Sequence, residues 1–161
     1  MAEFTNSIDV LGDDAVADSI IDRSIVNLSD NTITVIGASA FAYCSRLTTV
    51  DFPACTKISS SAFCNCVKLV RASFPACTSI NGVAFQYCSS LATVIFTGSN
   101  VVTMTTSHAF INTPMSTTGY FYVPSSMIAS YQAATNWAYF SSRFSAVEDY
   151  AEWDGTYGPP G

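Results

Sequence analysis

Residues 40–47 read AFAYCSRL, residues 62–69 AFCNCVKL and residues 84–91 AFQYCSSL. Ala-Phe, two variable residues, Cys, two variable residues and Leu thus recur at a spacing of 22. The spacing extends to both sides of the quoted stretch. Ile36, Ile58 and Ile80 form a column ahead of it, and Val50, Ala72 and Val94, then Phe52, Phe74 and Phe96, form columns behind it. A further copy at a longer spacing carries Phe110, Phe121 and Val123, and Pro53, Pro75 and Pro124 close three of the units. A unit this short cannot bury its own apolar residues. Stacked units bury them against the same residues of their neighbours, which makes such a period the mark of a solenoid.

The strand of each unit is predicted at LTTVDFP (47–53), LVRASFP (69–75), LATVIFT (91–97) and TGYFYVP (118–124). Side chains alternate across a strand, so Val50 and Phe52 point inward while Thr49 and Asp51 point outward. Pro cannot donate to a strand ladder and marks the strand's exit. The pattern predicts an α/β repeat solenoid: about four coils, a parallel sheet along one face, and a helical cap at each end. Its expected divisions are an N-terminal cap or lead-in at 1–30, leucine-rich repeats at 31–124, a C-terminal helical cap at 125–150 and an extended tail at 151–161. A helix with an Asp N-cap is expected from Asp13 onward, with Val16 and Ile20 sharing a face. A second is expected after Pro124, with Ile128, Tyr131, Trp137, Phe140, Phe144 and Val147 covering the last coil. In the last unit Thr113 stands at the Cys position and Ser116 at the Leu position, so irregular coil geometry is expected there.

The pattern I-x-x-x-A-F-x-x-C-x-x-L-x-x-V-x-F-P resembles the BspA-like leucine-rich repeats over residues 33–124. The flanks GDDAVADSIIDRSIV and VPSSMIASYQAATNWAYFSSRFSAVEDY resemble the lead-in and the cap of such arrays. The resemblance implies a cell-surface or virion protein used for adhesion and binding rather than catalysis. The expectation is a non-catalytic module of a phage virion, tail- or head-attached and assembled in the host cytoplasm. Its partners are then other virion or surface proteins and a host receptor or cell-surface glycan. The alternatives are a bacterial cell-surface adhesin domain and the scaffold part of an enzyme or effector.

Composition narrows the classes. Of 161 residues, 49% are hydrophobic and 11% charged, so burial rather than charge must hold the fold together. No apolar run approaches the ~18 residues that a membrane span needs, and no membrane insertion is expected. The opening MAEFTNSIDV has no basic start and no apolar core, so no secretory signal is expected there. Residues 1–30 hold seven acids against Arg23, and residues 148–161 hold four more and no base. Between them Asp51 faces Arg46, Lys57, Lys68, Arg71 and Arg143, giving ends of −10 and a middle of +4. Acidic ends argue against nucleic acid as a partner. Like-charged ends also disfavour open head-to-tail stacking, so a closed homo-oligomer is expected.

Candidate chemistry is sparse. Cys44, Cys66 and Cys88 share one repeat position, Cys55 and Cys77 another, and Cys64 stands apart. Stacked at one position and flanked by core columns, they read as buried free thiols, and CNC is a poor zinc motif. The single histidine, His108, has few acids near it in sequence and reads as structural. No nucleophile elbow, phosphate loop or H-E-x-x-H occurs, so no catalytic residue, metal or cofactor is expected. The outward strand positions remain: one column reads Thr49, Arg71, Thr93, Tyr120 and the next Asp51, Ser73, Ile95, Tyr122. Aromatic rings, an Arg and small hydroxyls on a rigid sheet suit recognition. The tail EWDGTYGPPG reads as an arm that would contact another subunit through Trp153 and Tyr157.

Overall fold

In the computed structural model, which describes Val10–Leu11 and residues 26–150, each repeat unit lays down two strands. The alternating stretches around Val50, Ala72 and Val94 become β4 (Thr49–Asp51), β6 (Arg71–Ser73) and β8 (Thr93–Ile95). They belong to a six-stranded parallel sheet flanked by β2 (Asn27–Ser29) on one side and by β10 (Tyr120–Val123) and β11 (Phe144–Ala146) on the other. The Ile column builds a second, five-stranded parallel sheet from β1 (Val10–Leu11), β3 (Val35–Ile36), β5 (Lys57–Ile58), β7 (Ser79–Ile80) and β9 (Thr103–Met104). Register follows the period: Val50 lies beside Ala72, and Ile58 beside Ile80. The molecule is therefore a short parallel-strand solenoid whose core is the space between two sheets. α-Helix is confined, among the described residues, to α1 (Ile128–Ala133).

Two ladders of phenylalanine fill that space. Phe41, Phe63, Phe85 and Phe110 stack with ring centroids 5.2, 5.2 and 5.0 Å apart and interplanar angles of 11° or less. Phe52 stacks on Phe74 at 5.8 Å, and Phe74 meets Phe63 and Phe85 edge-on. The last stacking distance holds although Phe110 follows Phe85 by 25 residues instead of 22, so the extra length is taken up outside the core.

The Cys position has a reason beyond volume. The Cys66 thiol donates to Phe41 O at 3.2 Å and the Cys88 thiol to Phe63 O at 3.0 Å, tying each coil to the one before it. Thr113 fills the same position in the last coil and donates to Phe110 O at 2.7 Å. That bond lies within its own coil, so the thiol tie between successive coils is not repeated there. The Leu position is less regular: Ser116 is exposed and Met115 is the buried residue of that turn. All six cysteines are free, with Cys64 alone only partly buried. The residue ahead of the Cys position (Tyr43, Asn65, Tyr87, Asn112) has φ of 58 to 63° in each of these four coils. This left-handed corner lets Tyr43 N donate to Cys64 O and Asn65 N to Gln86 O, both at 2.8 Å. Asn adopts such backbone readily, whereas Tyr holds it at a cost.

At the C-terminal end Trp137, Tyr131, Phe140 and Phe144 close the ladders. Trp137 meets Phe121 edge-on at 5.1 Å and Phe96 at 5.9 Å. Polar atoms of the cap also satisfy the exposed edge at β9. Trp137 Nε1 donates to Val102 O at 2.6 Å, Asn136 Nδ2 donates to Met104 O at 2.7 Å, and Val102 N donates to Tyr131 Oη at 3.1 Å. The segment read from sequence as a helical cap forms α1 and short 3-10 stretches, and in addition the strand β11, because the edge of β10 offers unpaired backbone groups that a parallel strand satisfies. Of segment 1–30, the described parts supply β1 and β2. The helix expected around Val16 and Ile20 lies outside the described residues.

Two outcomes follow from this core. Phe63→Ala, in the middle of the stack, should cost about 3–5 kcal/mol in urea unfolding, whereas Cys66→Ala should cost about 1 kcal/mol. Burial pushes the Cys55 thiol up to about 12 from its ordinary 9.0, and burial followed by the neighbouring Cys55 pushes Cys77 up as well. A raised folded value favours the protonated folded state. The stabilisation is therefore complete below about pH 9 and lost as pH rises through about 12. Unfolding free energy measured against pH should hold level up to about pH 9. It should then fall by up to ~1.4 kcal/mol per pH unit for each buried thiol.

Candidate binding face

The outward side of the six-stranded sheet is two columns wide. In the first, Asn27, Thr49, Arg71, Thr93 and Tyr120 are register neighbours on successive strands. Thr49, Arg71 and Thr93 are half-buried and Tyr120 is 39% exposed. Thr49 Oγ1 donates to Asn27 Oδ1 at 2.7 Å, and Thr48 Oγ1 donates to the same oxygen at 2.9 Å, so the start of the column is fixed by hydrogen bonds between coils. At the other end the Arg143 guanidinium sits 4.2 Å from the centre of the Tyr120 ring, and Arg143 Nε donates to Gly119 O at 2.9 Å. The column therefore ends in a cation–π pair held by a backbone anchor. Asn27 and Arg143 were not legible as site residues, since each lies in a segment read as a cap.

The second column is Ser29, Asp51, Ser73, Ile95 and Tyr122. Ser73 and Ile95 were expected to be exposed, but they are 0% and 2% exposed. Alternation fixes which way a side chain points, not what surrounds it. Ser73 is a short side chain between the larger Asp51 and Ile95, and Ile95 adjoins Tyr122, whose ring packs on Tyr150 at 4.6 Å. Asp51 and Tyr122 are half-buried. Of the eight strand positions singled out from the sequence, the structure thus gathers all on one side of one sheet but leaves Ser73 and Ile95 out of solvent. Trp153 and Tyr157 lie outside the described residues.

A separate cleft of about 420 Å³ opens where the irregular coil meets the cap, lined by His108, Asn112, Thr113, Ser116, Tyr139 and neighbouring residues. His108 is exposed at this cleft, and its lining includes no carboxylate that could pair with the imidazole for acid–base work. Among the described residues no group of three or more His, Cys, Asp or Glu is arranged to hold a metal ion, and no helix is long and apolar enough to cross a membrane.

Parallel coils of one strand pair each, stacked on recurring Ile, Phe, Leu and Val positions, define a leucine-rich-repeat solenoid. The family model for the BspA type leucine rich repeat region matches residues 4–134 in 6 copies, and the chain belongs to that family. The matched stretch begins within segment 1–30. No curated protein matches the chain. Membership in this family, whose repeats are typically non-enzymatic, suggests a protein-binding or surface module.

The end of the first column gives a direct test of geometry. A double-mutant cycle on Tyr120→Ala and Arg143→Ala should return a coupling of about 0.5–1 kcal/mol in urea unfolding, the size of an accessible cation–π contact.

Proposed function

We propose that this protein is a non-catalytic attachment module of a phage virion, tail- or head-attached, that grips the host surface through the first outward column of its sheet. The observation that supports this reading most is the run Asn27–Thr49–Arg71–Thr93–Tyr120–Arg143, which ends in an exposed ring with a guanidinium against it. Hydroxyls and an amide offer hydrogen bonds, the ring offers a stacking surface, and Arg71 offers a guanidinium for an anionic group. The backbone beneath is fixed by two-sided strand pairing, so little conformational entropy is lost on contact. The partner chemistry that fits is a cell-surface glycan or a polar receptor protein. A compact cleft with a lone imidazole, by contrast, has little to offer a hydrolytic reaction.

Attachment of the fluorescently labelled protein to a panel of bacterial cells and isolated envelopes tests the reading. The double variant Tyr120→Ala, Thr93→Glu should still unfold in one cooperative urea transition, lowered by about the 0.5–1 kcal/mol of the lost contact with Arg143, yet bind at least about tenfold more weakly, equivalent to ~1.4 kcal/mol. Binding equal to the parent's would show that this column is not the contact. Immunogold labelling locates the protein: label on particles supports the virion reading, and label on the producing cell in the absence of particles points to a surface adhesin. Cleavage of a glycan panel would point instead to a scaffold within an enzyme.

A further inference from the structure

The cap closes the last coil at two of its edges. Trp137 Nε1 and Asn136 Nδ2 take the carbonyls of Val102 and Met104, and β11 pairs with β10. The left-handed corner between β9 and β10 is not closed in this way. In the earlier coils the corner N–H reaches the next coil. Tyr43 N donates to Cys64 O and Asn65 N to Gln86 O, both at 2.8 Å, and Tyr87 N donates to Ile111 O at 3.1 Å. Asn112 holds the same backbone, with φ 58°, but no repeat follows it. Among the described residues neither its N–H nor its side-chain amide has a hydrogen-bond partner.

This open corner is one wall of the cleft of about 420 Å³. The other wall is the 3-10 stretch Ala138–Arg143, through Tyr139 and Phe140. The volume falls in the lower part of the ~300–1,000 Å³ range of small-molecule sites. Thr113 is buried in the lining, and its hydroxyl is already committed to Phe110 O and Met115 N. The exposed lining groups are free. The Asn112 amide, the Ser116 hydroxyl and the His108 imidazole make no hydrogen bond among the described residues. Tyr139 stands beside them with 72% of its surface in solvent, its ring held edge-on against Phe140 at 5.0 Å.

These groups select the chemistry of a ligand. The lining contains no carboxylate, lysine or arginine. A charged ligand group would lose hydration there without gaining a partner, so the ligand is uncharged. The free groups supply donors and acceptors in several directions, and the tyrosine ring supplies one apolar surface. A pyranose matches both, with a C–H face that covers a ring and hydroxyls around its rim. We propose that this cleft binds one neutral sugar residue of a glycan. The sugar lies against Tyr139, one hydroxyl accepts from the Asn112 N–H, and others bond to the Asn112 amide, Ser116 and His108. The site shares no residue with the outward column. It does not rest on the attachment reading and can hold where that reading fails.

The test titrates the full chain with methyl glycosides of glucose, galactose, mannose, rhamnose and N-acetylglucosamine, and with those of glucuronic and sialic acid. Calorimetry and saturation-transfer NMR read the binding. At least one neutral glycoside should bind with a Kd of about 1 mM or tighter, and the acidic ones several-fold more weakly. Tyr139→Ala removes the stacking ring, and Ser116→Tyr fills the cleft from an exposed position. Each should weaken that glycoside at least about tenfold while keeping one cooperative urea transition. Ser116→Tyr decides the case if Tyr139→Ala loses its fold. Asn112→Gly keeps the left-handed backbone but removes the amide, and should weaken binding several-fold. No neutral glycoside bound at about 10 mM would overturn the proposal, as would tighter binding of the acidic ones. Binding unchanged in folded Tyr139→Ala and Ser116→Tyr would also overturn it. So would binding lost only in Tyr120→Ala, Thr93→Glu, since that would place the sugar on the outward column.

Discussion

Everything else in this molecule depends on rings and strands demanding the same rise. Parallel strands lie ~4.8 Å apart, and the rings of Phe41, Phe63, Phe85 and Phe110 stack at 5.0 to 5.2 Å. A residue that repeats every 22 positions therefore satisfies its aromatic stack and its backbone ladder with one translation. The agreement also fixes register. A slip of one residue would send Val50, Ala72 and Val94 to the outward side and Thr49, Arg71 and Thr93 inward. The thiols of Cys66 and Cys88 reinforce the same translation, since each donates to a Phe carbonyl of the preceding coil.

A stack held by repetition is least secure where repetition stops. At the last coil the next Phe and the next strand are both missing, and the cap replaces each in kind. Trp137, with no exposed surface, takes the place of a further ring against Phe110 and Phe121. Its indole N–H and the Asn136 amide replace the backbone donors that another strand would bring to Val102 O and Met104 O. β11 then pairs with β10 through Phe144–Ala146, so the six-stranded sheet runs past the last repeat. That extension brings Arg143 beside Tyr120. The chemistry at the end of the outward column is a by-product of closing the edge.

How much of this could be read from sequence depended on how much pattern each element carries. The Phe, Cys, Leu and Val columns recur with identical spacing, so the solenoid and its larger sheet were legible. The second sheet was not, because strands of two residues such as Lys57–Ile58 have no alternation to detect. β2 was hidden for another reason. Leu28 stands beside Val50 in register, but the positions 22 residues before Phe41 and Cys44 are Ser19 and Asp22, so the columns that mark a coil are absent. The outward positions were legible as directions only. Nothing in alternation distinguishes Thr93, half-buried, from Ile95, which is 2% exposed.

The contrast between inward and outward columns bears on function. One inward column reads Phe, Phe, Phe, Phe through four coils, while the outward column beside the strand entry reads Thr, Arg, Thr, Tyr. The inward identity follows from stacking, since any other side chain would break the ladder on both sides of itself. The outward positions carry no such restraint and are free to differ without cost to the core. A scaffold of this type thus separates stability from recognition by the alternation of a strand, with one set of side chains locked by its neighbours and the other available to a partner. The left-handed corners show the same division. The backbone there is uniform across four coils, yet its side chains alternate Tyr43, Asn65, Tyr87, Asn112, and Tyr43 and Tyr87 are 59% and 46% exposed. Holding tyrosine in that backbone costs more than holding asparagine. Those two rings are therefore not explained by coil geometry, and their exposure adds an aromatic edge to the surface that the solenoid presents.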